Sequence, residues 1–341
     1  MATNADIARM AGVSPAIVSR IVNNDQTLRV SAETRARVLK AIAETDYSPN
    51  IAARTLKAAK SGIIALVVHD LTSSVYSEII SGAYEAAHAF GKTVLVGEAA
   101  ALARGQSHLG AWISGGGVDA VILQGAGTDT DVTLTRAARA KVPTVLLQTG
   151  NPESSTVLKL DDATAGRVAT QHLIELGHSR VGFLGVDDAR LFSQGRQQGW
   201  ESALLDAGST PAKEWVAQGG NSFPAGAQGM AELAKKAPEI SGVVVASIVA
   251  AIGVLASLRD LGKSVPGDMS LFAIQDIPLA DYLSPPLTSI KMPLRELGMK
   301  AVELVCSDEQ LAPSLITLDA APEPQIVIRS STTTLGRRER Q

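Results

Sequence analysis

From residue 62 onward, short runs of β-branched and aliphatic residues alternate with longer segments of helical periodicity. Their nearly continuous apolarity is typical of strands that are covered on both faces. Repeated strand–helix alternation predicts parallel sheets, and a division near residue 160 would give two doubly wound α/β lobes with a ligand cleft at the carboxyl ends of the strands. The runs with strand character are residues 62–68, 92–97, 119–124, 143–148, 180–185, 242–246 and 268–274.

The first sixty residues contain no strand pattern and fit three short helices, NADIARMAG, PAIVSRIVN and SAETRARVLKAIAET. Gly12 is placed to end the first helix at a tight turn, and Ser14 is placed to cap the second, with Pro15 in its first turn. This turn chemistry predicts an all-α helix-turn-helix domain over residues 1–48, whose second helix enters the major groove of DNA. A three-helix module that binds protein is the alternative.

Charge divides along the chain at about the same point. Residues 1–60 carry nine Lys/Arg and five Asp/Glu, whereas residues 61–341 carry 22 and 29, so the net charge of −3 conceals a +4 head and a −7 body. A basic segment of this kind is expected of a module that binds a polyanion, although a solvated basic helix face would also produce it. The charge therefore agrees with DNA binding without establishing it.

Composition excludes several classes of protein. The single cysteine, Cys306, cannot form an internal disulfide or supply a multi-thiolate metal site. No apolar run is long enough for a membrane helix, and MATNADIARM lacks the build of a secretory signal, so we expect a cytoplasmic protein. We expect no cofactor and no metal. The polar segment over residues 331–341 is expected to be a flexible tail.

The exposed positions of the second helix are candidates for contact with bases. Arg20 can donate two hydrogen bonds to a guanine edge, whereas Pro15 and Ala16 can offer only apolar and shape contacts. Further candidates are phosphate contacts, which position a protein on DNA without reading sequence. The predicted DNA-contacting residues of the head are Ser14, Pro15, Ala16, Ser19, Arg20, Asn23, Arg29 and Ser31.

Residues 49–61 are predicted to form a short hinge helix. Pro49 disfavours helix at Ser48, and Asn50 is a good N-cap for the helix that follows. A helix this short is marginal on its own, so it can act as a linker that folds only when docked. Leu56 on its outer face can wedge into a base step from the minor groove, or it can pack on the body.

The runs DIARMAGVSPAIVSRIVNN and VSAETRARVLKAIAETDYSPNIAARTLKAAKSG closely resemble the lactose/galactose repressor (LacI-GalR) family of transcription factors, and the body agrees with that family in order, so the resemblance covers about residues 4–330. It implies a homodimer, or a dimer of dimers, on a near-palindromic operator. Hinge helices, through Leu56 with Ala53 near it, would open a central minor-groove step. An effector bound in the two-lobed domain, residues 62–330, would alter hinge order and hence the affinity for DNA.

The resemblance also assigns positions in the cleft to the effector. Arg196, in GRQQGW, retains the family's effector-binding arginine, which suits a hydroxyl pair or a carboxylate. The usual Asn-Asp pair is replaced by Ser247-Ile248, and the first Asp of the usual Gly-Phe-Asp-Asp motif is replaced by Gln275. The implied effector-binding residues are His69, Asp70, Ser73, Tyr76, Gln124, Gln148, Phe192, Arg196, Asn221, Ser247 and Gln275.

These replacements make the cleft less anionic and richer in donors than a sugar site usually is. We therefore expect an effector that is not a plain neutral hexose, such as a carboxylate, an acidic sugar or a small amide-matched metabolite. A sugar bound through rearranged water contacts is the alternative.

Two other functions compete with transcriptional regulation. GAGTDT at 125–130 begins like a dinucleotide fingerprint, but Thr130 stands where the third glycine belongs, and the chain contains no nucleophile elbow and no HExxH motif. We therefore expect no enzyme activity. A two-lobed transport protein without DNA function would need export, which the N-terminus does not indicate. The C-terminus has no apolar heptads for a coiled coil, which favours a dimer over a tetramer.

Overall fold

The computed structural model describes residues 2–22, 25, 27–45, 47, 60–71, 73–104, 108–124, 135–136, 138–139, 141–186, 191–318 and 324–336. The chain divides into two compact units, Met1–Ser61 and Gly62–Gln341. Within the described residues, no helix has both the length and the apolarity that a bilayer crossing requires.

The first unit contains the three helices that the sequence predicts, α1 (Asn4–Ala11), α2 (Pro15–Val22) and α3 (Ala32–Ala43). The Thr3 side chain caps α1, and Gly12 ends it at a φ of 64°, a left-handed conformation that glycine adopts without strain. The helices enclose a small core in which Ile7, Val18 and Val38 are fully buried. The helical prediction and the role of Gly12 are confirmed.

Two six-stranded sheets form the second unit. In the first, the order is β11-β5-β4-β3-β1-β2 and the printed pairs are all parallel. In the second, the order is β12-β10-β9-β8-β6-β7, and β12 runs antiparallel to β10. The strands are β1 (Ile63–Val68), β2 (Thr93–Glu98), β3 (Ala120–Leu123), β4 (Thr144–Leu147), β5 (Thr156–Leu160), β6 (Val181–Gly185), β7 (Val216–Gln218), β8 (Gly242–Val245), β9 (Ser270–Ile274), β10 (Thr288–Lys291), β11 (Ser314–Leu318) and β12 (Gln325–Val327).

Helices lie between the strands, as the alternating pattern predicts. Their apolar faces join the central strands in one large core that extends through both lobes and in a smaller one beside the first sheet. Among the described residues, the α-helices of the second unit are α4 (Val75–Ala89), α5 (Ala99–Ala103), α6 (Leu109–Ser114), α7 (Asp162–Glu175), α8 (Leu191–Asp206), α9 (Phe223–Lys236), α10 (Ile248–Asp260) and α11 (Leu294–Cys306).

The chain crosses between the lobes three times. The predicted division near residue 160 marks only the first crossing, between β5 and α7. After β10 in the second sheet, α11 returns to pack on α4 of the first lobe, and β11 extends the first sheet by pairing with β5. The chain then re-enters the second sheet at β12. Each lobe is therefore built from separate parts of the sequence.

The prediction of a flexible tail is wrong over residues 331–336. Ser331 is buried, its hydroxyl donates to the Leu271 carbonyl at 2.6 Å, and it accepts from the Thr288 N–H at 2.8 Å. Farther along, the Leu335 N–H donates to the Leu176 carbonyl at 2.8 Å. Polar composition suggested fraying, but the Ser331 hydroxyl satisfies backbone groups of β9 and β10. Residues 337–341 lie outside the described residues.

Candidate functional site

Polar side chains from both lobes meet in a cleft at the carboxyl ends of the parallel strands, where open α/β sheets bind ligands. Nine of the eleven predicted effector residues line this cleft, whereas His69 and Asp70 do not. Val75, Ile79 and Leu294 complete the lining with apolar surface. The nine are Ser73, Tyr76, Gln124, Gln148, Phe192, Arg196, Asn221, Ser247 and Gln275.

His69 acts on the cleft through its backbone. Its N–H donates to Gln124 Oε1 at 3.3 Å, so the glutamine that follows β3 accepts a hydrogen bond from the first residue after β1. This bond fixes the amide orientation of Gln124, because only the oxygen can accept from an N–H.

Arg196 is the central charged group of the cleft and is fully buried. Its Nε donates to Asp162 Oδ1 at 2.9 Å, its Nη1 donates to the Ala246 carbonyl, and its guanidinium lies 4.9 Å from the centre of the Phe192 ring. Nη2 lies 2.8 Å from Asp162 Oδ1 but has no hydrogen-bond partner of suitable geometry among the described residues. A buried donor without an acceptor is costly unless a ligand satisfies it.

Two glycines allow Arg196 to reach Asp162. A Cβ on Gly166 of α7 would lie 2.0 Å from the Arg196 carbonyl oxygen, and a Cβ on Gly199 of α8 would lie 1.9 Å from the Ala163 carbonyl oxygen. No side chain fits at such distances, so the two helices pack backbone to backbone. Their close approach places the buried arginine of α8 over the first turn of α7.

Asp162 is the residue of this site that sequence reasoning missed. It follows Asp161, which caps α7 by accepting from the Thr164 N–H, so the pair resembles an ordinary helix start. Burial raises the pKa of the Asp162 carboxyl, while the Arg196 guanidinium opposes this shift. The buried carboxyl group of Asp162 therefore partly offsets the charge of Arg196 in the cleft.

Gln148 joins this buried group from the first lobe. Its Oε1 accepts from the Leu160 N–H at 2.8 Å, and its Nε2 donates to Asp162 Oδ2 at 3.4 Å. Gln148 and Gln275 have φ angles of 57° and 79°, the positive values that the described non-glycine residues show. Such strained backbone is often found where side chains must be aimed at a ligand. Both glutamines line the cleft from opposite lobes.

Two neighbouring polar groups satisfy each other in the second lobe. The Ser247 hydroxyl donates to Asn221 Oδ1 at 2.6 Å and also caps α10 by accepting from the Val249 N–H.

Asp276, which follows Gln275, accepts from Arg329 at 2.8 Å and from Ser289 at 2.6 Å. Its carboxylate is therefore held within the lobe, and none of the described residues that line the cleft carries a carboxylate.

The head presents most of its predicted DNA-contacting residues to solvent. Ser14, Pro15, Ala16 and Arg20 are exposed, as are Arg29 and Ser31, whereas Ser19 is partly buried. Asn23, Asn50, Ala53 and Leu56 lie outside the described residues.

Several of these exposed residues make contacts within the head. The Ser14 hydroxyl accepts from the Ile17 N–H at 3.4 Å, and the Pro15 carbonyl accepts from Asn4 Nδ2 at 3.2 Å. Ser31 caps α3 by accepting from the Thr34 N–H at 3.1 Å, and the Arg20 guanidinium forms an ion pair with Asp25 at 2.7 Å.

Sequence comparison identifies the family. The chain is 30% identical over 308 residues to an HTH-type transcriptional repressor, PurR, of Photobacterium profundum, an alignment that covers 89% of this chain and 91% of the relative. The family model for bacterial regulatory proteins of the lacI type matches residues 3–50. The chain belongs to the lacI family. The body of this lacI-family protein matches the model of a periplasmic binding protein-like domain over residues 170–332.

Solved structures of lacI-family regulators share the fold. The lac repressor dimer bound to operator and the anti-inducer ONPF superposes with a TM-score of 0.76 at 25% identity, over 97% of this chain and 99% of that one. A complex of the regulator CelR with cellobiose gives a TM-score of 0.70 at 27% identity, over 97% and 100%. CelR of Thermobifida fusca is 32% identical over 310 residues, 88% of this chain and 89% of the relative. This lacI-family protein is a DNA-binding transcriptional regulator with an effector-binding body, and not an enzyme.

Proposed function

We propose that this lacI-family regulator is a repressor that responds to a small effector rich in hydrogen-bond acceptors, such as a carboxylate or a sugar acid, bound in the cleft between the lobes. The observation that carries the proposal is the imbalance of polar groups in that cleft. Among the described residues, Arg196 Nη2 is a buried donor with no hydrogen-bond partner of suitable geometry, and none of the residues that line the cleft carries a carboxylate.

The orientation of the glutamines adds to this imbalance. The side-chain oxygens of Gln124 and Gln148 already accept from backbone N–H groups, and the Gln148 Nε2 donates to Asp162 Oδ2. The Asn221 oxygen likewise accepts from Ser247. Three amide oxygens of the described lining are therefore already occupied, and a ligand made mainly of hydroxyl donors would find few free acceptors there.

The buried carboxyl of Asp162 limits how much negative charge the cleft can favour. Because it partly neutralises Arg196, the site suits a single carboxylate or a polarised carbonyl better than a multiply charged anion. Phe192 and the apolar residues of α4 supply surface for the carbon skeleton of such a ligand.

A neutral sugar is the second candidate, and the CelR complex with cellobiose supports it. Water molecules in the cleft could supply the acceptors that sugar hydroxyl groups need. Calorimetry with matched pairs distinguishes the two, for example glucose against glucuronate and cellobiose against cellobionate. We expect the acid of a pair to bind at least about tenfold more tightly; micromolar binding of the neutral sugar alone would contradict the proposal.

The variant Gln275→Glu sharpens this test. It adds a carboxylate to the cleft at nearly constant volume, so an acidic effector should bind about tenfold or more weakly, whereas a neutral sugar should gain an acceptor. Glu309→Gln, a charge change in the C-terminal part of the chain outside the cleft lining, is the control and should leave both affinities unchanged.

On the DNA side, we propose that residues 1–48 read the operator, that residues 49–61 act as hinge and that residues 62–330 bind the effector and dimerise. The exposed face of α2 would enter the major groove, with Ser14, Pro15, Ala16, Ser19 and Arg20 toward the bases. A homodimer on a near-palindromic operator is supported by the lac repressor dimer bound to operator. The protein would act in the cytoplasm, where its DNA lies.

A gel-shift experiment with DNA from the promoter near the regulator's own gene tests this part. We expect a specific complex that shifts in amount when the effector is added. Equal affinity for promoter and random DNA would contradict it.

A further inference from the structure

Arg20 belongs to a closed cluster of hydrogen bonds at the end of α2. Its Nε donates to Asp25 Oδ2 at 2.7 Å, and its Nη2 donates to Thr27 Oγ1 at 2.9 Å. The hydroxyl and backbone N–H of Thr27 in turn donate to Asp25 Oδ1, at 2.7 and 2.8 Å. The Asp25 N–H donates to the Arg20 carbonyl at 3.0 Å. Each side-chain oxygen of Asp25 and Thr27 thus has a defined partner.

The cluster occupies only one edge of the guanidinium. A guanidinium carries five N–H donors in a planar fork, and Asp25 and Thr27 use the edge formed by Nε and Nη2. The end edge, formed by Nη1 and the second hydrogen of Nη2, has no partner among the described residues. Two nearly parallel N–H donors on that edge match the O6 and N7 acceptors of guanine. The Arg20 side chain is 46% exposed, so a ligand can reach this edge.

The electrostatics of the cluster favour reading bases over binding phosphates. Hydrogen bonds from Arg20 and Thr27 lower the pKa of Asp25 to about 2, so its carboxylate is charged wherever the protein meets DNA. It offsets the Arg20 charge and repels nearby phosphate groups. A free arginine would be attracted to any backbone phosphate, whereas a paired and fixed one gains most from a base with acceptors in the right places.

We propose that Asp25 and Thr27 are positioning residues, which hold Arg20 in the orientation that reads a guanine and so increase discrimination between bases rather than affinity for DNA in general. This inference rests on the proposed role of Arg20 in contacting a base. Fixing a long side chain before binding removes part of the entropy that would otherwise be lost on the DNA.

The test first defines the operator by selection from a random DNA library with the full-length wild-type chain. Affinity is then measured for the selected operator, for versions with each guanine replaced by adenine or 7-deazaguanine, and for random DNA. The variants are Arg20→Ala, Asp25→Ala and Thr27→Val. Glu44→Gln, which removes an exposed acid paired with Lys40 on α3, is the matched charge control.

We expect Arg20→Ala to abolish the preference for guanine at one position of each half-site. Asp25→Ala should reduce the preference at that same position by about tenfold, and Thr27→Val by about threefold, with random DNA bound equally well or more tightly. Glu44→Gln should keep the wild-type preference. A purely structural role for Asp25 predicts instead an equal loss on every DNA, together with a lower helix content by circular dichroism.

Three results would overturn the inference. One is an unchanged guanine preference in both Asp25→Ala and Thr27→Val while Arg20→Ala loses it, which leaves the role of Arg20 intact. Another is tighter operator binding by Asp25→Ala at unchanged preference, which would mean that the cluster withholds Arg20 from DNA. The third is a full guanine preference in Arg20→Ala, which would remove the proposed role of Arg20 as well. If Asp25→Ala fails to fold, Thr27→Val alone decides.

Discussion

The buried pair of Arg196 and Asp162 allows the role of the arginine in effector binding to be separated from its role in stability. Arg196→Met removes the cation and leaves the Asp162 carboxyl in the interior, where 1% and 4% of the two side chains are exposed. We expect the free energy of unfolding of the body to fall by about 3–5 kcal/mol, the usual cost of removing one partner of a buried ion pair. Asp162→Asn should cost a similar amount, because it leaves the cation unbalanced.

The double variant Asp162→Asn/Arg196→Met contains no buried charge at this position. Its loss of stability should therefore be smaller than the sum of the two single losses by about 2 kcal/mol or more. The double variant still lacks the Nη2 donor in the cleft, so it should not recover the effector response. Stability and effector response thus separate in one protein.

The loss of stability caused by Arg196→Met should also depend on pH. Burial raises the pKa of Asp162 above the ordinary value of 3.8, and removing the guanidinium takes away the main influence that lowers it. Above the ordinary pKa, the folded state then keeps a proton that the unfolded chain has released, so stability falls as the pH rises from that ordinary value toward the raised pKa and levels off above it. The penalty should therefore be smaller in acid than at neutral pH.

Urea denaturation followed by tryptophan fluorescence measures this transition, because Trp112, Trp200 and Trp215 are the three tryptophans of the chain and all lie beyond the head. Lys300→Met, which removes an exposed ion pair to Glu303, is the control and should change stability by no more than about 1 kcal/mol. Single losses below about 1 kcal/mol, or strictly additive losses in the double variant, would refute the coupling described above.

Three further predictions concern other parts of the chain. Arg20→Ala should weaken specific operator binding by about 1–3 kcal/mol with effector affinity unchanged, as measured by fluorescence anisotropy; an equal loss on random DNA would make Arg20 a phosphate contact. Ser331→Val should lower the free energy of unfolding, measured by urea denaturation, by about 1–3 kcal/mol, because the Thr288 N–H loses its acceptor. The exposed Ser330→Val should leave it unchanged, and equal effects of the two variants would support a flexible tail instead. Leu56→Ala should reduce operator bending and affinity, and an unchanged bend angle in a circular-permutation assay would argue against a wedge.

The parallel architecture could be predicted because its central strands are buried on both faces. IIALVV in β1 and GVVV in β8 are apolar without interruption, which sets them apart from the helices around them. The edge strands carry no such signal. β7 is VAQ, β12 is QIV and β11 has alternating burial, so short or half-exposed segments of this kind resemble loops.

The returns of α11 and β11 to the first lobe were not predicted for a different reason. Hydrophobic periodicity gives the type of an element but not the sheet that it joins, and pairing of Ser314 with Thr156 depends on contacts far apart in sequence. A local pattern therefore shows a single division where the fold has three crossings.

Family resemblance predicted which residues line the cleft, but it did not predict which of their polar groups are already paired within the protein. The resemblance assigned Arg196 to the effector, but the sequence does not show that Asp162 and the Ala246 carbonyl already occupy two of its nitrogens. Asp25 in the head is a similar case. It lies in a turn where aspartate is common, and only the three-dimensional structure shows that it holds Arg20.

Whether the cleft around Arg196 controls binding to DNA is decided by titrating the selected operator, with and without the effector found by calorimetry, against wild type and Asp162→Asn/Arg196→Met. A saturating effector should change the operator Kd of the wild type by about tenfold, and that of the double variant by less than about twofold. An effector response of equal size in both proteins would contradict it, because the cleft around Arg196 would then not be the site that controls binding to DNA.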